Sequence, residues 1–514
     1  MTYRCASIST QRWHLCPNPV KLITFAAMNS LRRRRLGCLL SALLVASIAC
    51  FLSALFLLSH HHATPLPTSV DDHLLTITHA PSSRRSFLWN PAQRYLAYLP
   101  HSGFHNQRIA LENALVLARI LNRTLLVPPA HLGSNVFSYH KFDELSRLLV
   151  HSGKQGLLHC SKLPSHVSPP ECWDYNDYTH ISWDWLVDLS SLAVEQPLFQ
   201  HELFTYPWLE NPPPDANTLR LRDQTPYDFR FVDYTPAPDA RPHPRYRTAY
   251  PIATLAASDA QLIQLGSLFG SARLRLTDHE HRAARTAIRE RMAFTNPHLR
   301  RASLAVAHAL GGPDAFLAAH VRLGNGPFLV AQAQTVRLTW YRLVACALRG
   351  ANASAGGIAE VHALERRLVP ANAGLPPPRN ALRVDVDFVS PRSAMHAMAC
   401  AGKQQHEDRA LAALNVPLFV ATDMQDAPAL APLRAAFPCM VLLRDLVVPE
   451  VRALERLVNA KDGVRLGPFL VPLLEAAIAA QAWAVVGTEG STFSAYVEDL
   501  LWQREHGRPI VQRG

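Results

Sequence analysis

Arg322 directly follows an apolar run, residues 315–321, and opens a glycine-rich turn with Leu323, Gly324, Asn325, Gly326 and Pro327. A guanidinium at the end of a buried strand presents a planar fork of donors suited to a phosphate, and a structural ion pair is the competing use of the same residue. Residues 487–492, Gly-Thr-Glu-Gly-Ser-Thr, precede a helical run. There backbone N–H groups with Ser491 and Thr492 would hold a diphosphate, or would merely cap the helix. Residues 101–108, His-Ser-Gly-Phe-His-Asn-Gln-Arg, offer Gly103 for close backbone approach, Asn106 as a ligand or a cap, and His101 and His105 as the imidazoles nearest this loop.

These loops need a frame that brings them together. Residues 94–99 read as a strand, 109–121 as a largely buried helix with Arg108, Glu112 and Arg119 on one polar stripe, and 124–127 as a second strand ended by Pro128 and Pro129. Such spacing predicts a βαβ unit in a parallel sheet, whose ligands gather at the carboxyl ends of the strands. The pattern recurs: helix 303–310, strand 315–321, strand 417–422 with helix 427–437, and strand 482–486 with helix 492–502. Both halves are therefore expected to be doubly wound α/β, with a helix over 282–300 leading out of the first. Residues 207–251 read as an irregular excursion and 350–405 as a mobile insertion. The aromatics and carboxylates of 135–205, Trp173 to Asp188 among them, suit either a groove or a buried core.

A chain of 514 residues with 48% hydrophobic content has room for two or three globular domains. Of the net charge of +11, seven positive charges lie before residue 36 with no acidic residue among them, so the remainder carries no nucleic-acid footprint. Residues 36–58 contain no charge and follow Arg32 to Arg35, which predicts a transmembrane signal-anchor with its N-terminus in the cytosol. The expected organisation is a basic tail over 1–35, the anchor over 36–58, and a stem over 59–91. An N-terminal α/β lobe over 92–301 and a C-terminal Rossmann-like lobe over 302–514 would follow. Met1 and Met28 are both available as starts. Beyond the anchor lie Cys160, Cys172, Cys346, Cys400 and Cys439, which allow at most two bridges and one free thiol in an oxidising lumen. Cys160 and Cys172, the nearest pair, are the first expected bridge. Asn122 and Asn352 begin glycosylation sequons.

Taken in order, the motifs resemble those of the GDP-fucose protein O-fucosyltransferase superfamily. The blocks are Gly103-Phe104-His105-Asn106-Gln107, residues 121–129, His320-Val321-Arg322-Leu323-Gly324, Ala421-Thr422-Asp423, and Gly487-Thr488 with Ser491-Thr492-Phe493-Ser494. The resemblance implies a GT-B fold of two Rossmann-like lobes facing a cleft, with the donor GDP-fucose held mainly by the second. It implies transfer of fucose to a Ser or Thr hydroxyl of a secretory-pathway protein with inversion, in the Golgi or endoplasmic reticulum and with no metal cofactor. Arg322 would clamp the diphosphate, Asn106 would face the donor, and Asp423, Ser491, Thr492 and Phe493 would line the nucleotide pocket. Gly103, Phe104, Gln107, His320, Gly324 and Asn325 belong to the same set, and His105 joins Arg322 and Asn106 as a catalytic candidate. Many members carry an acid where this chain has Asn325, and the general base is unassigned.

A metal-dependent transferase would use Asp385-Val386-Asp387 as its carboxylate pair. A non-catalytic member that binds a GDP-sugar or a glycoprotein, or a transferase using another GDP-sugar, are the remaining alternatives. A phosphatase or dehydrogenase lacks its nucleophile motif or complete Gly-x-Gly-x-x-Gly.

Overall fold

A computed structural model describes Thr76–Ile77 and residues 89–512, except 134–136, 164–166, 202–204, 238–242, 325, 353, 383–385, 393–396 and 427. The basic tail, the anchor span 36–58, most of the stem, Asn325 and Asp385 lie outside the described residues. Among the described residues no helix is long and apolar enough to cross a membrane.

Strand β1 (Tyr95–Ala97) leads through residues 98–103 into helix α1 (Phe104–Ile120), which returns to strand β2 (Thr124–Val127). Asn122 takes a φ of +48°, a left-handed conformation that asparagine tolerates, and so turns the chain from helix to strand. Strands β3 (Leu198–Gln200), β4 (Thr218–Leu221) and β5 (Leu262–Leu265) complete an all-parallel sheet in the order β3-β2-β1-β5-β4. The expected βαβ unit is present, and β2 stops before Pro128. Residues 207–251, expected to be irregular, supply β4 and two strands of a separate three-stranded sheet. Short strands among prolines and charges hide their period.

The helix expected over 282–300 is two helices, α2 (His279–Glu290) and α3 (Pro297–Ala309). Asn296 breaks them: its Oδ1 accepts from the amides of His298 (3.0 Å) and Leu299 (3.1 Å), and Pro297 occupies the first turn, where its missing N–H costs nothing. The expected boundary at 301/302 falls inside α3.

The second half begins with β6 (Leu317–Val321) and the long helix α4 (Gln332–Ala351), followed by α5 (Ile358–Leu368). Strands β7 (Leu418–Thr422) and β8 (Met440–Val441), helix α6 (Gly467–Ala479), strand β9 (Ala484–Gly487) and helix α7 (Thr492–Tyr496) follow. Its sheet is also wholly parallel, in the order β8-β7-β6-β9. The helix expected over 492–502 continues beyond α7 through a π-helical turn, Val497–Leu501. The expected insertion 350–405 holds α5 and is stitched down where Phe388 bridges Ala484 and Cys400 bonds to Cys439.

The central strands of both sheets are buried on both faces, as in parallel sheets generally, while β3 and β4 are half-buried. In β1, Leu96 joins one cluster while Tyr95 and Ala97 join another. In β6, Ala318 joins the same cluster as Leu96, and Leu317, Ala319 and Val321 face a third. One apolar core is thus shared by the two sheets, and residues 74–514 form a single compact unit. Thr76–Ile77, within the expected stem, belong to that unit and pair in parallel with Val458–Asn459.

The bridge expected between Cys160 and Cys172 is present, Cys400–Cys439 is the second, and Cys346 is free and buried. Asn122 and Asn352 are both exposed.

Candidate active site

Strand order reverses once in each sheet. In the first, the chain moves outward from β1 through β2 to β3 and later adds β5 on the other side of β1. In the second it moves from β6 through β7 to β8 and adds β9 on the other side of β6. The loops after β1, β6 and β9 therefore diverge at switch points, where a crevice forms beyond the carboxyl ends. All three are loops whose residues promised chemistry.

At the second switch point the turn after β6 is wired to its neighbours. The Thr488 hydroxyl accepts from the Arg322 amide and donates to the His320 carbonyl, both at 3.0 Å. Asp423, just past β7, accepts from the amides of Leu323 (2.8 Å) and Gly324 (3.0 Å), and its Oδ2 lies 3.1 Å from Arg322 Nε. Gly324 is dictated by this closure, since an added Cβ would stand 2.6 Å from that carboxylate. The same sterics fix Gly487, where a Cβ would meet the Ser494 side chain at 2.5 Å. Asp423 thus grips the Nε edge of Arg322, whose terminal nitrogens have no hydrogen-bond partner among the described residues. The Arg322 side chain is about one-third exposed.

His320 is buried, stacks on Phe493 at 4.1 Å between ring centroids, and meets Ser494 Oγ through Nδ1 at 2.6 Å. Burial, reinforced by Arg322, pushes its pKa down to about 3, so the ring is neutral at physiological pH. Phe493 also packs edge-on against His105 (4.7 Å), and Asn106 Oδ1 accepts from Thr492 Oγ1 at 3.1 Å. Groups 386 residues apart therefore meet between the start of α1 and the start of α7. Ser491 caps α7 through the Ser494 amide. Asn106 does not cap α1: Gly103 holds the N-cap position with no side-chain bond, leaving the Asn106 Nδ2 hydrogens without a partner among the described residues.

Other expected site residues are used differently. Gln107 donates both amide hydrogens, to the carbonyls of Ser102 and His131 (2.9 Å each), and accepts from the His131 amide. It fixes backbone and has no donor left for a ligand. Phe104 stacks on Trp183, itself fully buried, so the ring packs the core. Gly103 has a φ of −63°, and an added Cβ would meet no protein atom, so the protein itself makes no demand for glycine there. His105 is buried with both ring nitrogens unpartnered, and desolvation, then Arg108, hold its pKa well below the usual range. His101 contacts Ser102 Oγ and Ser267 Oγ and is pushed down to about 4 by burial. Of the Asp385/Asp387 pair, Asp387 is engaged by Gln503 and Arg508.

Two polar residues of this region were missed from the sequence. Thr488 stood in the last motif block with no role given to it. Glu475 is the single charge in the apolar helix α6; its carboxyl makes no hydrogen bond among the described residues, and burial, with Asp423 nearby, pushes it up to about 8. None of the donor-site candidates lines the 570 Å³ cleft around Trp340 and Leu375 or the 430 Å³ cavity around Ser303 and Arg504.

No family model matches the sequence. Crystal structures of POFUT1 align over most of the chain but at low similarity. The GDP complex has a TM-score of 0.36 at 11% identity, covering 82% of this chain and 98% of that one. The apo form has a TM-score of 0.33 at 13% identity over the same shares. A curated protein, O-fucosyltransferase 30 of Arabidopsis thaliana, is 60% identical over 56 residues, which are 10% of this chain and 11% of that protein. The match spans about a tenth of the relative's length, and over that stretch the chain is similar to an O-fucosyltransferase, in line with the resemblance read from the motifs.

Proposed function

We propose that the protein is an inverting, metal-independent glycosyltransferase that moves fucose from GDP-fucose to a Ser or Thr hydroxyl of a secretory-pathway protein. The GT-B arrangement of two lobes and a type II anchor over 36–58 belong to the same proposal. The observation that carries it is Arg322, held at Nε by Asp423 with its terminal nitrogens free at a switch point. In the reaction the acceptor oxygen bonds to the fucose anomeric carbon from the face opposite GDP. The bond from that carbon to the β-phosphate oxygen breaks, its electron pair stays on GDP, and the hydroxyl proton leaves to solvent or a base. Negative charge grows on the β-phosphate, and a cation fixed beforehand stabilises that state more than the ground state. Asn106, oriented by Thr492, contributes its free Nδ2 hydrogens across the cleft. Orientation of Arg322 by Asp423 also lessens the significance of Asn325, since a carboxylate from the neighbouring strand already does what an acid there would do.

A second reading, a donor-binding member with little turnover, is favoured by the suppressed basicity of His101 and His105. Thermal protection by GDP-fucose against UDP-sugars tests the donor, because a ligand at 100 times its Kd adds about 2.7 kcal/mol. Transfer assayed with and without EDTA tests the metal. Protection by GDP-fucose with transfer that survives EDTA is expected; protection by UDP-sugars alone, or metal-reversible loss, would overturn the reading. Protection with no transfer, even in Asn325→Asp, would select the second reading.

A further inference from the structure

The Cys160–Cys172 bridge has a histidine set against both of its sulfurs. His159 Nε2 lies 3.7 Å from Cys160 Sγ and 3.7 Å from Cys172 Sγ. The three ligand atoms all lie within 4.8 Å of one another, the one such group of His, Cys, Asp or Glu side chains among the described residues. A zinc ion with tetrahedral angles, about 2.3 Å from sulfur and about 2.1 Å from nitrogen, requires nitrogen and sulfur to stand about 3.6 Å apart. The histidine already meets that requirement toward both cysteines. Only the sulfurs must separate, and reduction of their bond is what frees them.

The surroundings suit a partly shielded site with one position left open to water. Both cysteines are buried, while His159 is exposed and so lies between the sulfurs and solvent. The cysteines pack with Tyr175 and Val464, and the Tyr175 hydroxyl donates to the Asp462 carbonyl at 2.6 Å. Gly463 approaches so closely that a Cβ there would stand 2.8 Å from the Ser161 side chain. The segment containing the bridge is thereby docked on residues 462–464, and loss of the cross-link would loosen that contact.

We infer that His159, Cys160 and Cys172 form a redox-exchangeable zinc site: in the disulfide state the sulfurs cross-link the segment, and in the dithiol state the same three side chains bind Zn²⁺ and keep it docked. The exchange balances. A dithiol reductant transfers two electrons and two protons to the bridge, giving two thiols and the oxidised reductant. Zinc then displaces the two thiol protons and takes two thiolates, one neutral imidazole and a water. Cys346 does not compete, because burial pushes its thiol up to about 12.

Cobalt(II) is the probe, since thiolate ligation gives a near-ultraviolet charge-transfer band that imidazole or carboxylate ligation does not. The full chain is reduced with a dithiol, freed of reductant without air, and titrated with Co²⁺ and then Zn²⁺. The same chain carrying Cys160→Ser and Cys172→Ser serves as the baseline for all other cysteines. The difference between the two is expected to be one cobalt per chain with two-thiolate intensity, displaced by zinc. His159→Ala should weaken binding at least tenfold, while Cys400→Ser with Cys439→Ser should leave the difference unchanged. Equal titrations of the parent and the Cys160/Cys172 double variant overturn the inference, as does full binding by His159→Ala. A reduced chain that loses its circular dichroism and does not regain it with zinc overturns it too.

Discussion

At the scale of single residues, the candidate site depends on a few groups whose neighbours decide their charge and direction. Asp423 takes only the Nε edge of Arg322, which leaves the terminal nitrogens for the proposed phosphate contact. Arg322→Ala is expected to cost about 1.5–3 kcal/mol of GDP-fucose binding, about tenfold to a hundredfold in Kd, with Arg322→Lys recovering little because a point charge does not reproduce the fork. Titration calorimetry on folded variants measures it, and unchanged affinity in Arg322→Ala would make the arginine purely structural. Glu475 gives a pH signature. Its carboxyl is raised from an ordinary 4.5 to about 8, so the folded chain keeps a proton that the unfolded chain releases. Stability then falls as pH rises through that window and is unaffected by this group below it. Glu475→Gln should therefore match the parent near pH 4 and exceed it by a few kcal/mol near pH 8, on the order implied by the shift. Parallel urea midpoints across this range would contradict the assignment.

Helices and strands carry the next level, because the site is made where element ends meet. The starts of α1 and α7 touch through Asn106 and Thr492, and the ends of β6, β7 and β9 are tied by Thr488 and Asp423. What aims α3 into the second half is Asn296, whose Oδ1 caps the helix while its Nδ2 donates to the Trp185 carbonyl at 2.8 Å. Asn296 is buried, so Asn296→Ala removes a cap and strands a carbonyl, which should cost about 1–3 kcal/mol. Asn296→Asp keeps the cap but loses that donor, and its chemical-denaturation midpoint should fall between the two. An alanine variant as stable as the parent would show that Pro297 alone sets the helix start.

For the whole molecule, one apolar core takes residues from both sheets, and residues 74–514 form one compact unit. Two disulfides, together with two exposed sequons at Asn122 and Asn352, agree with the proposed lumenal exposure. In sealed microsomes the portion after residue 58 is expected to resist added protease until detergent is present, and glycosidase should shorten the apparent mass. Digestion of the C-terminal part without detergent would reverse the proposed topology.

The sequence alone determined the period of the main strands and helices, the three loops at their carboxyl ends and the motif order, because each is written in local spacing or in residue type, and it offered Cys160–Cys172 as the first expected bridge. It also marked Arg322, Asn106 and Asp423 as candidates. Only the tertiary structure decided what each does among its neighbours. Gln107 spends its amide on backbone, His105 is enclosed and neutral, Asp423 grips Arg322 at Nε, and β4 emerges from a proline-rich run. Those outcomes depend on which groups from distant segments fill a residue's hydrogen bonds and displace its water, as when Thr492 meets Asn106 across 386 residues. No local pattern encodes such a pairing, since it exists only once the chain has closed on itself.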